Sequence, residues 1–395
     1  MTPNKPTLLF YNFGAKLGGA EIVLLKFLEQ ASTHFNARVL LNEYGTFYDR
    51  LVEHHVPVDV IETRANHFYS VKREDAIGLK LLRLLPASIQ LFFRVIRYFR
   101  QHKFDLIVSN TFKSHLILGF ASKLFGFRGV WRFHDIIQQK YAYNQFSSLN
   151  IFLMKLIMPD IRKVLTVSQA VTDSFLDFGF DPSKFAVVHN GLDVRQSKPA
   201  SKGVNADVIR IGWIGQFAAW KGIEAYVQLC KAIIDAGDRI GKPLEFIMAG
   251  SALFGNEDYE LKIKAMITGK YQPYFTFLGH LSDTKDFYDG IDVYFHTSIA
   301  PDPFPTTILE AGSHGLLVFA SELGGAGEII ADQTTGYLIN MGEERRTLDT
   351  AIKVLANFAE ERSKGLKLQE RISLDLNTDI YRHRFEAELL KSITD

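Results

Sequence analysis

The chain has 395 residues, more than one hydrophobic core normally contains, so its length predicts two domains. Its composition, with 47% hydrophobic and 23% charged residues, is ordinary for a globular protein. The single cysteine, Cys230, excludes an internal disulfide, fits a reducing compartment and is expected in the core. No uninterrupted apolar run reaches the roughly 18 residues of a membrane-spanning helix.

The net charge of +1 conceals an uneven distribution. Residues 1–198 hold 25 Lys and Arg against 16 Asp and Glu, a net charge of +9, whereas residues 199–395 carry a net charge of −8. The basic half suggests an anionic partner, and the absence of long Lys/Arg runs argues against nucleic acid. The first residues lack the three regions of a signal peptide, and we therefore expect a cytoplasmic protein.

The first half alternates short apolar runs with helical patterns. Seven runs predict strands, at residues 7–13, 37–42, 58–63, 105–110, 129–135, 163–168 and 185–191. Apolar strands that alternate with helices indicate a parallel sheet covered on both faces. The pattern lapses into a polar stretch between Leu192 and Val208, which we interpret as an interdomain linker.

The alternation then restarts. Six further strands are predicted at residues 210–215, 244–250, 275–280, 292–298, 316–321 and 336–339, with a helix over 345–363. The expected fold is therefore α/β, with two doubly wound, Rossmann-like domains over residues 1–195 and 205–375 and a crevice at the carboxyl ends of each sheet. A last helix over 378–393 could pack on either domain, including back on the first.

Residues 301–328 contain the most informative motif of the second half. Asp302 lies in a Pro-rich loop, and Pro305 marks a helix start that places Glu310 one turn into the helix. The free N–H groups and dipole of such a start favour anions, so the two carboxylates suit a nucleotide sugar. The alternative is a capping box, in which Glu310 only reaches back to backbone donors near Thr307.

Several common cofactor motifs are missing from the sequence. Neither half carries G-x-G-x-x-G after its first strand or the P-loop pattern, which argues against a dehydrogenase and against a P-loop enzyme. The sequence also lacks an Asp-x-Asp pair and any His/Cys cluster at metal spacing. We therefore expect neither a catalytic metal nor another cofactor.

Four further segments lie in order along the chain: residues 17–21 (LGGAE), 133–135 (FHD), 188–193 (VHNGLD) and 215–222 (GQFAAWKG). With residues 301–328 they form a set that resembles the retaining glycosyltransferases of family 4, which have the two-domain GT-B fold. The resemblance spans about residues 8–340. It implies two Rossmann-like domains whose parallel sheets face each other across a cleft.

The resemblance implies catalytic roles for Asp302, Lys221 and His134, with Lys221 at the diphosphate and His134 beside the donor sugar. The donor-binding residues that it implies are Gly18, Gly19, Gln216, Lys221, Gly250, Leu281, Asp302, Phe304, Pro305, Thr306, Thr307 and Glu310. Glu310 would hold the ribose hydroxyls. Each residue also has a structural alternative, such as a tight turn at Gly18 or a core histidine at His134.

Two positions depart from the family pattern. The family usually has an arginine where this chain has Gln216, and a glutamate where it has Asp302. Without the arginine, Lys221 and the helix-start N–H groups would carry the diphosphate. These departures bear on the identity of the donor more than on the reaction.

The implied reaction is a retaining, metal-independent transfer from a UDP-sugar, with UDP-glucose expected, to a glycan or lipid-linked acceptor in surface polysaccharide synthesis. A nucleotide-sugar epimerase or phosphorylase-like enzyme on the same scaffold stays open. A nucleotide-sugar-binding protein without catalysis also stays open, because Gln216 replaces the arginine.

One segment of the first half suggests membrane contact. Leu85, Ile89, Phe92, Ile96 and Phe99 predict an apolar helical stripe, flanked by a basic line of Arg94, Arg97 and Arg100. Such a helix suits the surface of an anionic bilayer, which would place the protein at the inner face of the cytoplasmic membrane. The alternative is a core helix packed on the sheet.

Overall fold

The structure is a computed structural model that describes residues 5–31, 34–62, 77–137, 146–194, 208–252 and 256–394. Its strands form two parallel sheets, one of seven strands and one of six. The linker predicted between Leu192 and Val208 lies largely outside the described residues, as do both domain boundaries placed near it.

The first sheet has the order β3-β2-β1-β4-β5-β6-β7. Its strands are β1 (Thr7–Tyr11), β2 (Asn36–Leu41), β3 (Val58–Val60), β4 (Leu106–Ser109), β5 (Gly129–Phe133), β6 (Lys163–Thr166) and β7 (Phe185–Val187). Its helices are α1 (Gly19–Ala31), α2 (Thr46–Glu53), α3 (Ile77–His102), α4 (Phe112–Phe125), α5 (Ser148–Ile157) and α6 (Gln169–Leu176). The strand order reverses between β1 and β4, and such a switch point opens a crevice at the carboxyl ends of the strands.

The second sheet has the order β10-β9-β8-β11-β12-β13. Its strands are β8 (Ile209–Ile214), β9 (Leu244–Ala249), β10 (Phe275–Gly279), β11 (Val293–His296), β12 (Leu317–Ser321) and β13 (Tyr337–Ile339). The remaining helices are α7 (Ile223–Asp235), α8 (Glu257–Ala265), α9 (Lys285–Gly290), α10 (Thr306–Ser313), α11 (Ala326–Ile329), α12 (Glu344–Ala356), α13 (Phe358–Glu361), α14 (Ser363–Asp375) and α15 (Thr378–Thr394). The switch point lies between β8 and β11.

The strand predictions are confirmed, because all thirteen predicted runs contain a strand. Burial explains their sequence: Leu8, Leu9, Phe10 and Tyr11 of β1 are all inaccessible to solvent. Leu9 and Tyr11 pack with α3, α4 and α5, whereas Leu8 and Phe10 pack with α1, α2 and α15. A strand covered on both faces needs apolar side chains in both directions. Cys230 is buried in the second core, as predicted.

The last helix, α15, packs on the first sheet although the chain reaches it from the second. The Phe385 ring lies edge-on to Phe27 of α1, with 4.7 Å between centroids, and also contacts Phe10. Leu192 and Asn377 form an isolated β-bridge where the chain returns. The helix predicted over 345–363 is in fact two, α12 and α13, and α14 follows them.

The stripe predicted on α3 as a membrane-facing surface is wrong at Ile96 and Phe99, where the core-helix alternative is correct. Ile96 and Phe99 are buried, and Leu91 and Val95 join them on the core side, but Ile89 is half exposed. The helix rotates this side chain out of the core because the buried residues lie at positions 91, 95, 96 and 99, a spacing of 3.6 residues per turn. The side chain of Leu85 lies outside the described residues.

Candidate active site

The carboxyl ends of the second sheet bring Lys221 and Asp302 into contact. Lys221 ends a 3-10 turn (Ala219–Lys221) after β8, and Asp302 lies in the loop between β11 and α10. The Lys221 ammonium nitrogen is 2.6 Å from Oδ2 of Asp302 and lies 4.0 Å from the centre of the Trp220 ring. The sequence separates these residues by 81 positions, and the switch point of the sheet brings them together.

His296, the last residue of β11, is a second partner of Asp302. Its Nε2 lies 3.3 Å from Oδ2 of Asp302 and 3.1 Å from Oγ of Ser298. His296 is 4% exposed and burial lowers its pKa, so we assign the neutral ring with the proton on Nε2, which donates to the carboxylate. Sequence reasoning did not single out His296; the only signal was a polar residue at the end of an otherwise apolar strand.

The two partners keep Asp302 ionised. Burial alone would raise the pKa of this carboxyl, which is 6% exposed, but the Lys221 ammonium and the hydrogen bond from His296 hold the pKa well below its usual value. The buried carboxylate and the cation fixed beside it form a preorganised charge pair near the N-terminus of α10. Such pairs are frequent in active sites.

The start of α10 is built as the sequence predicts. Pro305 is the N-cap, and Thr306 and Thr307 occupy the first turn, where backbone N–H groups have no partner within the helix. The Phe304 side chain is buried against His189, so only its backbone can face a ligand. Free N–H groups at a helix start favour the binding of an anion.

Glu310 does not form a capping box. The N-cap residue makes no side-chain cap hydrogen bond; instead the Tyr288 hydroxyl donates to Oε2 of Glu310 at 2.9 Å. The capping-box alternative is therefore wrong. Burial raises the pKa of Glu310, while its bond to Tyr288 opposes this rise.

Two glycines allow the loops of this site to approach each other closely. Gly250 has φ 121°, and a Cβ atom there would lie 1.8 Å from the carbonyl oxygen of Gly215. Gly324 has φ 82°, and its Cβ would lie 2.2 Å from the carbonyl oxygen of Asp302. A residue with a side chain could not adopt these φ angles and also leave room for the facing carbonyl group, so both positions require glycine. Gly324 thereby allows its backbone to approach the loop that carries Asp302. Gln216 and Leu281 are half-buried on the same side of the cleft.

His134 lies across the cleft, in a polar network at the carboxyl ends of the first sheet. Its Nε2 is 3.0 Å from Oδ1 of Asn110, and the Asn110 amide donates to Oδ1 of Asn12 at 2.9 Å. Asn12 in turn reaches Glu21, which accepts from the Gly18 N–H at 3.2 Å. Burial lowers the pKa of His134 well below its ordinary value, with Arg132 adding to the effect, so its ring is neutral.

Arg132 is a buried cation that sequence reasoning did not find. It is 3% exposed and donates to Asn110 at 3.0 Å and to Asn190 at 3.3 Å. Its guanidinium also lies over the rings of Tyr381 and Phe385 of α15. Arg132 therefore contacts three separate segments: residues 17–21 through the Ala20 carbonyl oxygen, residues 188–193 through Asn190, and α15. Gly18 and Gly19 lie at the start of α1, and a Cβ at Gly19 would meet no atom within 4 Å.

The two sheets meet directly beside the Asp302 loop. Ser168 donates to the carbonyl oxygen of Pro303 at 2.6 Å, and the His189 ring stacks on Phe304 at 5.0 Å. Glu328 of α11 accepts from the Gln169 and Ala170 N–H groups, which begin α6, and lies 2.8 Å from Nε2 of His189. The structure thus brings Lys221, Asp302 and the α10 start together and positions their loop through the first sheet. Gly18, Gly19 and His134 lie on the opposite wall.

Two family models match the chain, one on each side of the cleft. The model described as "Glycosyltransferase Family 4" matches residues 17–196, and "Glycosyl transferases group 1" matches residues 209–357. The chain belongs to glycosyltransferase family 4. Its fold is the GT-B fold of these enzymes, and its activity is of the hexosyltransferase class.

Solved structures resemble this family 4 enzyme along its whole length. The Anabaena protein Alr3699/HepE, solved in complex with UDP, is 26% identical, has a TM-score of 0.80, and the match covers 98% of this chain and 100% of that one. The same protein was also solved with UDP-glucose. A glycosyltransferase from Rickettsia africae, 17% identical with a TM-score of 0.77 and 99% of each chain covered, shows the fold alone.

Curated relatives are more distant. An uncharacterised glycosyltransferase of Methanocaldococcus jannaschii is 22% identical over 64% of this chain and 67% of its own length. The phosphatidylinositol N-acetylglucosaminyltransferase gpi3 subunit of Schizosaccharomyces pombe is 22% identical over 56% of this chain. The match spans only 46% of the yeast subunit, about half its length.

Proposed function

We propose that this enzyme is a retaining, metal-independent glycosyltransferase that takes its sugar from a UDP-sugar, with UDP-glucose as the expected donor. The observation that carries the proposal is the buried Lys221–Asp302 pair beside the free N–H groups of Thr306 and Thr307. This arrangement supplies a cation and backbone donors for a diphosphate and a carboxylate for sugar hydroxyls. The UDP-glucose complex of Alr3699/HepE, 26% identical to this chain, supports the choice of donor.

In this mechanism, Lys221 and the N–H groups stabilise the charge that develops on the departing diphosphate. Asp302 orients Lys221 and faces the anomeric carbon, which becomes oxocarbenium-like as the bond to the leaving group breaks. The acceptor hydroxyl attacks from the front face, and the leaving phosphate takes its proton. His134, held neutral by burial, positions the sugar from the opposite wall.

The acceptor that we propose is a glycan or lipid-linked sugar of surface polysaccharide synthesis, in the cytoplasm or at the inner face of the membrane. The name of the gpi3 subunit identifies a phosphatidylinositol as the acceptor of that relative, and this supports a lipid-linked acceptor. No helix in the described part of the chain is long and apolar enough to cross a bilayer.

A donor panel tests the proposal. The purified full chain is incubated with UDP-glucose, UDP-galactose, UDP-N-acetylglucosamine and GDP-mannose, and free nucleotide is measured with and without acceptor glycans. We expect UDP release from one UDP-sugar, faster with acceptor, with the α-configuration kept in the product. Sugar interconversion without acceptor would identify an epimerase, and binding without turnover a binding protein; either result would overturn the proposal.

Glu310→Gln adds a residue-specific prediction to this panel. If Glu310 holds the ribose hydroxyls in the ground and transition states alike, its loss weakens donor binding by about tenfold and changes turnover less. Glu360→Gln, at an exposed carboxylate of α13, is the control and should leave both unchanged. A tenfold loss of turnover with unchanged donor affinity would contradict the ribose assignment.

A further inference from the structure

The outer surfaces of α3, α4 and α5 expose large apolar side chains. Phe93 is 57% exposed, Leu124 61% and Phe152 62%. The others exposed on these helices are Ile89, Phe125, Leu149 and Leu156. Single exposed hydrophobic residues are ordinary on a protein surface, but a group of seven on three neighbouring helices indicates a contact surface.

The three helices form one continuous face on the side of the first sheet opposite α15. Phe92 of α3 lies 6.3 Å from Phe125 of α4, and the Arg100 guanidinium lies 4.7 Å from the centre of the Phe125 ring. Gly119 of α4 packs so closely on Ile157 of α5 that a Cβ there would lie 2.5 Å from the isoleucine side chain. We call this surface the α3–α5 face.

The α3–α5 face is strongly basic, although Asp160, just after α5, pairs with Lys123 at 3.2 Å. The sequences of the three helices contain eight Lys and Arg and no Asp or Glu. Arg94, Arg97, Lys123 and Lys155 are exposed around the apolar side chains. By contrast, α15 on the other side of the sheet carries three acids, Asp379, Glu386 and Glu388. Most of the basic excess of the first half therefore belongs to the three helices that form the apolar face.

We propose that the α3–α5 face docks the enzyme on an anionic lipid bilayer, where a lipid-linked acceptor resides; this inference rests on the function proposed above. Apolar side chains enter the headgroup region and the basic residues pair with lipid phosphates. A second copy of the chain is a poorer occupant, because an isologous contact would bring two sets of basic residues together with no acid on these helices.

The same docking places the cleft at the membrane. Because helices that follow parallel strands begin at the carboxyl edge of the sheet, α4 and α5 start at the edge that carries Asn110 and His134. Leu149 and Phe152 lie in the first half of α5, close to this edge. An acceptor headgroup held in the bilayer would thus lie beside the wall of the cleft that faces the donor.

Vesicle flotation of the full chain tests the docking. At low salt the enzyme should float with vesicles of equal parts phosphatidylcholine and phosphatidylglycerol, and much less with phosphatidylcholine alone or at high salt. Phe93→Ser with Phe152→Ser should weaken partitioning roughly tenfold, because two half-exposed aromatic rings leave the interface. The matched control is Leu261→Ser with Leu374→Ser, 64% and 63% exposed on the second half of the chain, which should leave partitioning unchanged.

The contribution of charge is tested separately. Arg97→Gln with Lys155→Gln should weaken binding and reduce its salt dependence, whereas Arg345→Gln with Lys353→Gln, equally exposed on α12, should do neither. A tryptophan probe gives the orientation: the fluorescence of Phe93→Trp should be quenched by brominated lipid, and that of Leu261→Trp should not.

Each outcome decides the proposal independently of the enzyme's reaction. Absence of flotation with anionic vesicles at low salt, or unchanged binding by the serine variant, would overturn it. So would dimerisation in solution that the serine variant abolishes, since this would identify a second copy as the occupant. UDP-sugar hydrolysis without vesicles should be the same in wild type and serine variant; failure of that hydrolysis in both would count against the proposed function and not against docking.

Discussion

Asp302 lies against Lys221 and His296 and is almost fully buried. Asp302 is one methylene shorter than the glutamate of the family pattern, and its carboxylate contacts both Lys221 and His296. We infer that Lys221 acts as one unit with Asp302, which orients it, and that Lys221 makes the phosphate contact for which the family uses an arginine at the position of Gln216. Residues that act as a unit have non-additive effects when they are replaced.

A double-mutant cycle measures this coupling. Asp302→Asn keeps the shape but removes the charge, and should lower turnover by roughly ten- to a thousandfold, about 1.4–4 kcal/mol. Lys221→Ala should lower donor affinity and turnover together. The double variant should be little worse than the poorer single variant, with a coupling energy of about 1–3 kcal/mol from single-turnover rates. Additive losses would show that the two groups act separately.

At the residue scale, the sequence predicted the groups that belong to motifs and missed those that support them. Lys221, Asp302 and Glu310 were predicted because each occupies a recognisable position after a strand or in a helix start. His296 and Arg132 were not, because neither belongs to a recognised motif: Arg132 bonds Asn110 from another strand, and His296 is six residues from Asp302 but meets it only through the fold of the intervening loop. No spacing rule connects positions that only the sheet brings together.

Helix α4 shows how one element places a buried titratable group behind the site. Its His115 is 2% exposed, lies 2.7 Å from the Ser109 hydroxyl and stacks on Phe133, with 4.9 Å between centroids. Burial lowers the pKa of His115 to about 3. The unfolded chain binds a proton at about pH 6.5, the ordinary value for histidine, so folding must expel that proton at lower pH.

The stability of the enzyme should therefore depend on pH through His115. Above about pH 6.5 the ring is neutral in both the folded and the unfolded chain, so its titration does not change the free energy of unfolding. As the pH falls below this value, the unfolded chain gains the proton first, and the free energy of unfolding of wild type decreases by up to about 1.4 kcal/mol per pH unit. His115→Gln lacks this titration, so the stability difference between wild type and variant should shrink from pH 7 to pH 5. Urea unfolding at the two pH values measures it. A difference that stays constant would contradict the lowered pKa.

At the scale of elements, hydrophobic periodicity located every strand of both sheets but not the rotation of α3. The structure divides the predicted stripe: Ile96 and Phe99 are buried with Leu91 and Val95, whereas Ile89 is 48% exposed. Phe99 is covered because its ring packs between Tyr11 and Phe127. Periodicity indicates that a helix has an apolar side, and packing decides which of its apolar side chains are covered.

For the whole molecule, Glu328 joins the two sheets at the donor loop. Its carboxylate accepts two N–H groups from the start of α6 and contacts His189. Burial would raise the pKa of Glu328, but His189 and these N–H groups lower it. A charged acceptor at a helix start is favourable for both hydrogen bonding and the helix dipole.

Glu328→Gln should loosen this junction without unfolding either core. An amide keeps the size of the side chain but loses the charge and one of the acceptor oxygens, so the closed arrangement of the sheets should become less populated. We expect a larger radius of gyration by small-angle X-ray scattering and a KM for donor raised several-fold, with the thermal unfolding midpoint nearly unchanged. Glu322→Gln, at an exposed acid near the same loop, is the control. Equal scattering curves for wild type and Glu328→Gln would exclude a role in domain closure.

The sequence by itself determined the strands of two parallel sheets, the motif after each critical strand and the acids of residues 301–328. It could do so because apolar runs, proline at a helix start and glycine turns act through neighbouring residues. The tertiary structure decided the rest: that α15 returns to the first sheet, that Asp302 is held by Lys221 and His296, and that Glu310 bonds Tyr288 instead of capping its own helix. These outcomes depend on burial and on contacts that span 22 positions for Glu310 and 81 for Lys221, and on a loop conformation for His296, none of which the local pattern specifies.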